Sequence, residues 1–179
     1  MTAAEAERQL LTSDYLRKGN SRQQRAARTL DQLPLDSMPQ VEEWALAGTV
    51  PLDIDLPNSD LDILISTSQP AKVRDDLTTC FSHRSDFSSW AHGREAGAWC
   101  AAFTMGTYPI EFFIQPTPVR KQRAFRHLVA EYVLLTRHGE EFREQIRQLK
   151  SSGMKTEPAF AAVLGLRGDP YLALLELPL

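Results

Sequence analysis

The sequence is poor in cysteine, with Cys80 and Cys100 as the only two among 179 residues. Two cysteines are too few for a disulfide scaffold, and their separation does not match the paired spacing of a zinc site. We therefore expect two reduced, partly buried thiols.

The sequence also lacks a long apolar run and an excess of basic charge. No segment approaches the length of a membrane span, and the first ten residues, MTAAEAERQL, contain no basic stretch followed by an apolar one. These features predict a cytoplasmic protein without a membrane partner. The formal charge of -3 gives no attraction for duplex DNA, so none is expected as a partner. A local basic patch could still hold a phosphate or a single strand.

The remaining composition is that of one soluble globular domain, with 42% hydrophobic and 24% charged residues. The order of periodic patterns is helical, then extended, then helical again, which indicates an α+β fold. Three parts make up the predicted single domain 1–179: N-terminal helices over 1–40, a sheet over 41–116 and C-terminal helices over 117–179.

Within these parts the patterns predict individual elements. A helix is expected over 71–81, and the polar stretch 83–97 is expected to be a loop. The segment AWCAAFTMGTYPIEFFIQ predicts two strands joined at Met105–Gly106–Thr107. Beyond Pro116 a basic amphipathic pattern predicts one long helix or two, and two further helices are expected to begin near Thr156 and Asp169.

The most informative stretch is WALAGTVPLDIDLPNSDLDILIS, which contains two acids within an otherwise apolar strand. Side chains alternate between faces of a strand, so Leu61, Ile63 and Ile65 share one face. Asp60 and Asp62 share the other, with Cα atoms about 6.6 Å apart. Two carboxylates that close repel each other unless a cation lies between them. Oxygen ligands without cysteine or histidine predict Mg²⁺ or Mn²⁺.

A third acid, Glu111, lies in the apolar strand TYPIEFFIQ and projects from the face opposite to Ile110 and Phe112. If the two strands are neighbours, Asp60, Asp62 and Glu111 meet at one point. Three such carboxylates hold two metal ions roughly 3.5 to 4 Å apart. The alternative is that these acids lie on a solvated strand face, which is common in antiparallel sheets.

Gly48 and Thr49 follow the first apolar strand, twelve and eleven residues before Asp60. Glycine allows close approach of the backbone, and threonine adds a hydroxyl and an N–H group that can receive phosphate oxygens.

An apolar strand with Gly48-Thr49, the acid pair in SDLDI and a later strand with Glu111 together resemble the DNA polymerase beta-like nucleotidyltransferase superfamily. The resemblance implies a small mixed or antiparallel sheet with helices packed on it. It also implies that Asp60, Asp62 and Glu111 are catalytic metal ligands, and that Gly48, Thr49 and Ser59 bind the nucleotide.

More narrowly, YLRKGNSRQQ, QPTPVRKQRAFRHLVAEY and GMKTEPAFAAVLGLRGDPYLALLEL resemble a bacterial family within this superfamily that is described as a domain of unknown function. The sequence departs from the superfamily pattern because no basic residue follows Gly48-Thr49. We therefore expect the triphosphate to be bound by basic residues at the start of the long helix, namely Arg120, Lys121, Arg123 and Arg126. Lys155 is an alternative. The competing interpretation is that these residues form only the solvated face of that helix.

The predicted activity is metal-dependent transfer of a nucleoside monophosphate from a nucleoside triphosphate to a hydroxyl group. The acceptor is left open among RNA, protein and a small molecule. Two alternatives remain: a non-catalytic module that binds a nucleotide or a protein, and a metal-dependent phosphoester hydrolase. His127 is interpreted as a structural residue of the helix, since a lone histidine there more often fills that role.

Overall fold

A computed structural model describes residues 1–178, and a five-stranded mixed sheet lies at its centre. The strand order is β1-β2-β5-β4-β3, in which β2 and β5 are parallel and the other neighbours are antiparallel. The strands are β1 Glu43–Ala47, β2 Leu61–Ser66, β3 Ser88–Ala91, β4 Trp99–Met105 and β5 Tyr108–Gln115.

In the described part of the chain, seven α-helices surround this sheet. They are α1 Ala3–Leu10, α2 Asp14–Arg17, α3 Ser21–Leu30, α4 Pro70–Phe81, α5 Arg123–Ser151, α6 Thr156–Leu164 and α7 Pro170–Leu175. The predicted α+β class with flanking helical regions is confirmed.

Both faces of the sheet are covered by apolar side chains. Ile63 and Phe112 point into a core formed with α2, α3 and α4, as the alternation of the two strands predicts. Leu64 points to the opposite face, where it packs among residues of α1, α5, α6 and α7. A charged side chain on either face is therefore out of place unless it serves a site.

The long helix α5 is interrupted at Gly139, whose φ of 80° and ψ of -162° are not helical. Only glycine adopts this conformation readily, and Gly139 has no atom near its missing Cβ. The second half of α5 therefore takes a new direction, and its arginines return to the loop between β1 and β2.

Two local expectations were wrong. The segment 83–97 is not entirely a loop, since β3 forms within it at the edge of the sheet. All four residues of β3 are exposed, so no burial pattern indicates a strand there. Asp60 precedes β2 instead of lying in it.

None of the helices in residues 1–178 combines the length and the apolar character that a bilayer span requires.

Candidate active site

Three carboxylates meet at the centre of the sheet. Asp62 of β2 is directly opposite Glu111 of β5 in the parallel register, so both side chains leave the sheet on the same face. Asp60 joins them from the residue before β2. One oxygen atom from each of the three lies within 4.8 Å of the others.

The three acids repel one another. Burial, with the nearby charges of Asp60 and Glu111, raises the pKa of Asp62 to about 7. Burial and the charge of Asp60 also raise the pKa of Glu111. Among residues 1–178, no lysine, arginine or histidine forms an ion pair with any of the three. A cluster of oxygen donors without an ion pair to a protein cation fits a hard divalent metal ion.

Gly48 is required by its conformation and by its neighbour. Its φ is +74°, and a Cβ atom built on it would stand 2.1 Å from Oδ2 of Asp62. Any larger residue would displace the carboxylate, so glycine at 48 makes room for the acid at 62.

Thr49 and Ser59 close the two ends of the loop between β1 and β2. The hydroxyl of Thr49 donates to Oγ of Ser59 at 3.3 Å, and the backbone N–H of Leu56 donates to the same Oγ at 2.9 Å. Both residues line the cavity in front of the carboxylates. Their hydroxyls are therefore placed beside the three carboxylates by the loop itself.

Arginines from two helices hold this loop. Arg147 of α5 donates to the backbone oxygen of Asp53 at 2.6 Å and 3.0 Å and pairs with its carboxylate at 2.9 Å. Asp53 has a φ of 55°, which is strained for a residue other than glycine. Arg143 donates to the backbone oxygen of Leu52, and Arg22 of α3 donates to the backbone oxygen of Ser59 at 3.1 Å.

The carboxylates open into a cavity of about 1080 Å³ between the sheet and α5, α6 and α7. Of the basic residues predicted to bind phosphate, Lys121, Arg123 and Lys155 line this cavity. Arg120 and Arg126 do not. They line a separate pocket of about 230 Å³ on the other side of α5, where Arg120 pairs with Glu7 at 3.0 Å.

Sequence analysis missed Lys150, which lies near the end of α5 and also lines the cavity. It is 9% exposed, and its Nζ donates to the hydroxyl of Thr156 at 3.0 Å. Burial lowers its pKa, although carboxylates that include Glu131 and Asp60 act in the opposite direction. Its position in RQLKS resembles the solvated end of a helix, so the sequence gives no signal for this burial.

His127 was expected to be only a structural residue of the helix, but it lines the cavity together with Glu131 and Glu157. Burial lowers the pKa of His127 to about 4, with help from Arg123 and Arg126. Burial also raises the pKa of Glu131 far above its ordinary value. His92, from the segment expected to be a plain loop, reaches the same cavity and packs edge-on against Phe113 at 4.7 Å.

Solved structures of Cid1 have the same fold. One, with Mg and 3'-dATP bound to the poly(U) polymerase, has a TM-score of 0.56 and 13% identity over 96% of this chain and 51% of that chain. Another, described for RNA terminal uridylyl transferase activity, has a TM-score of 0.54 and 13% identity over 83% of this chain and 43% of that chain. A third, in complex with the UTP analog UMPNPP, has a TM-score of 0.51 and 16% identity over 90% of this chain and 51% of that chain.

The chain therefore has a nucleotidyltransferase-like fold, which confirms the expected resemblance at the level of structure. It spans about half the length of the Cid1 chains that it matches. Comparison with curated proteins gives no match. The model of the family described as Domain of unknown function (DUF4269) matches residues 35–177, and the chain belongs to this family.

Proposed function

We propose that this protein is a metal-dependent nucleotidyltransferase that moves a nucleoside monophosphate from a nucleoside triphosphate to a hydroxyl group of its acceptor. The observation that carries the proposal is the meeting of Asp60, Asp62 and Glu111 within 4.8 Å at the edge of a large cavity. The fold shared with Cid1 supports the same assignment.

Asp60, Asp62 and Glu111 would hold Mg²⁺ or Mn²⁺. When bound, the metal would supply positive charge to the phosphates and lower the pKa of the attacking hydroxyl. The protein residues keep the three carboxylates together: the parallel pairing of β2 and β5 fixes two of them, and Gly48 leaves space for Asp62.

The triphosphate would lie between the loop that follows β1 and the end of α5. Gly48, Thr49 and Ser59 offer backbone and hydroxyl donors on one side of the cavity. Lys150 lies on the other side of the cavity, where it is buried and where the negative charge of Asp60 favours its protonated form by raising its pKa. We assign it the main cationic contact, since a buried ammonium group binds phosphate more strongly than an exposed one. Lys121, Arg123 and Lys155 line the wider part of the cavity and would contact the acceptor or the outer phosphates.

Glu111 would accept the proton of the acceptor hydroxyl, since it is a carboxylate at the wall of the cavity beside Asp60 and Asp62. Such a reaction needs few side chains, because position and charge supply most of the catalysis.

A second candidate is a nucleotide-binding module without turnover. The observation in its favour is the lack of a basic residue between Gly48 and Asp60, where the loop is acidic instead. This module would use the same cavity and the same ligands.

Incubation of the protein with Mg²⁺, cell extract and each of the four α-labelled nucleoside triphosphates tests the proposal. Transfer predicts label in an RNA, a protein or a small molecule, and no label with Asp62→Asn. Phosphate release without incorporation would indicate a hydrolase. Binding of the nucleotide without either product would indicate the module.

A further inference from the structure

A second group of possible metal ligands lies in the cavity, formed by residues that the proposed transfer does not use. His127 and Glu131 are one helical turn apart on α5, and Glu157 is in the first turn of α6. One ligand atom from each lies within 4.8 Å of the others. None of the three belongs to the Asp60, Asp62 and Glu111 group.

Two members of this group are buried without any hydrogen-bond partner. His127 and Glu131 are each 4% exposed. Both ring nitrogens of His127 and Oε1 of Glu131 have no hydrogen-bond partner among residues 1–178. Buried polar atoms are nearly always paired, because an unpaired one costs about 1 to 3 kcal/mol. Three unpaired atoms on one turn of a helix therefore need an explanation.

Lys150, which lines the same cavity, does not supply the missing partner. Lys150 donates to the hydroxyl of Thr156 and, among residues 1–178, forms no ion pair with Glu131 or Glu157. The ring of Tyr171 meets that of His127 edge to face at 6.0 Å, which is an aromatic contact rather than a hydrogen bond. His127 and Tyr171 both line the cavity.

We propose that His127, Glu131 and Glu157 bind a divalent transition metal ion, with Zn²⁺ as the type. One imidazole nitrogen with two carboxylates suits zinc, whereas the group of three carboxylates suits magnesium. Three atoms within 4.8 Å of one another place a common centre no more than about 2.8 Å from each. Small side-chain rotations then reach the usual zinc distances of about 2.0 to 2.2 Å.

The ion would join α5 to α6 through three protein ligands and would keep a coordination position open toward the cavity. It would lie in the same cavity as the proposed transfer site without sharing a ligand with it. Zinc binding can therefore be measured whether or not the protein transfers nucleotides.

Calorimetric titration of the metal-free protein with Zn²⁺, in millimolar Mg²⁺ to occupy the carboxylate group, tests the site. We expect one Zn²⁺ per chain in wild type. His127→Leu and Glu157→Gln should each weaken it at least tenfold, because each removes a ligand. Asp62→Asn, which changes the other group, and Glu141→Gln, the same kind of change at an exposed position of α5, should leave it unaltered. Co²⁺ should give a visible absorption band that His127→Leu removes.

Any of three results would overturn the proposed site. Wild type could fail to bind Zn²⁺ when the ion is present at about 0.1 mM, Glu157→Gln could bind Zn²⁺ as tightly as wild type does, or Asp62→Asn could fail to bind it. Glu157 is only partly buried, so its variant is expected to fold even if His127→Leu does not. Far-ultraviolet circular dichroism of each metal-free variant checks this.

Discussion

The carboxylate of Asp62 occupies the space that a side chain on Gly48 would need. Oδ2 of Asp62 is 2.1 Å from the position of a Cβ on residue 48, although fourteen positions of sequence separate the two. The glycine and the acid are thus parts of one arrangement: the loop can pass this close to the Asp62 carboxylate only because it has no side chain there.

Gly48→Ala should therefore destabilise the protein and disturb the acid cluster. The control is Gly106→Ala in the β4–β5 turn, where φ is +61° and no atom lies near the missing Cβ. That variant should lose only about 1 kcal/mol, from the left-handed backbone alone. Gly48→Ala should lose at least twice as much in urea unfolding, along with the stabilisation by Mg²⁺. Equal losses of stability in the two variants would show that the side chain of Asp62 can move away from residue 48 without an energetic cost.

The contribution of Asp62 to the stability of the metal-free protein should fall as pH rises from about 4 to about 7. The folded-state pKa of Asp62 is raised from 3.8 to about 7, so in this window the carboxyl group holds its proton in the folded state and loses it in the unfolded state. Its contribution to the free energy of unfolding then decreases with pH, by up to a few kcal/mol, whereas the lowered pKa of His127 acts in the opposite direction in wild type and Asp62→Asn alike and cancels from their comparison. Asp62→Asn cannot titrate. It should remain nearly as stable as wild type at pH 4.5 and exceed it at pH 8 in EDTA. Parallel curves for the two proteins would contradict the raised pKa.

Asp62→Asn should also abolish the effect of Mg²⁺ on thermal stability. In wild type, millimolar Mg²⁺ should raise the melting temperature by a few degrees, and more with a nucleoside triphosphate present. The amide keeps the shape of the side chain but removes one ligand charge. Differential scanning fluorimetry of both proteins measures the shift, and a wild-type protein that ignores Mg²⁺ with all four nucleotides would argue against a metal site.

Lys150→Met should weaken triphosphate binding about tenfold, which corresponds to the loss of roughly 1.4 kcal/mol. Methionine fills similar space without charge, so the loss reports on the ammonium group. Lys18→Met, at an exposed position beyond α2, serves as the control and should bind normally. Binding of a non-hydrolysable triphosphate in Mg²⁺ measures the difference. If Lys150→Met binds like the control, Lys155 or the residues that begin α5 supply the contact.

Arg147→Ala should release the loop between β1 and β2. The arginine makes two hydrogen bonds to the backbone of Asp53 and one ion pair with its side chain. We expect a loss of about 1 to 2 kcal/mol in stability and weaker Mg²⁺ binding, since Asp60 ends this loop. Arg28→Ala, which removes an exposed arginine of α3 that has no ion pair among the described residues, should change neither. Urea unfolding and metal titration of both variants provide the check.

The sequence was sufficient to predict β2 and β5 because buried apolar residues recur at every second position in both strands. The same alternation set Asp62 and Glu111 apart from their neighbours. It did not establish that the two acids face each other, since that depends on parallel pairing between strands about fifty residues apart. The edge strand β3 left no trace because none of its side chains is buried.

The cations were harder to predict for a different reason. Whether a lysine on a helix faces the solvent or a cavity depends on the direction of the helix. Gly139 changes that direction in the middle of α5, so the burial of Lys150 could not be derived from its own neighbours. Arg120 and Lys121 are adjacent in sequence, yet they line different pockets.

The length of the segment that follows the interruption at Gly139 determines where its cations meet the loop between β1 and β2. Arg143, Arg147 and Lys150 follow at intervals of four and three residues, which keeps them on one side of the helix. Each residue of a helix turns the next by about 100°. Deletion of a single residue between Gly139 and Arg143 would rotate all three cations together, away from the loop between β1 and β2 and from the cavity. The three side chains would still be present, but they would point in the wrong direction. The number of residues in this segment is thus under tighter constraint than the identity of its solvent-facing ones.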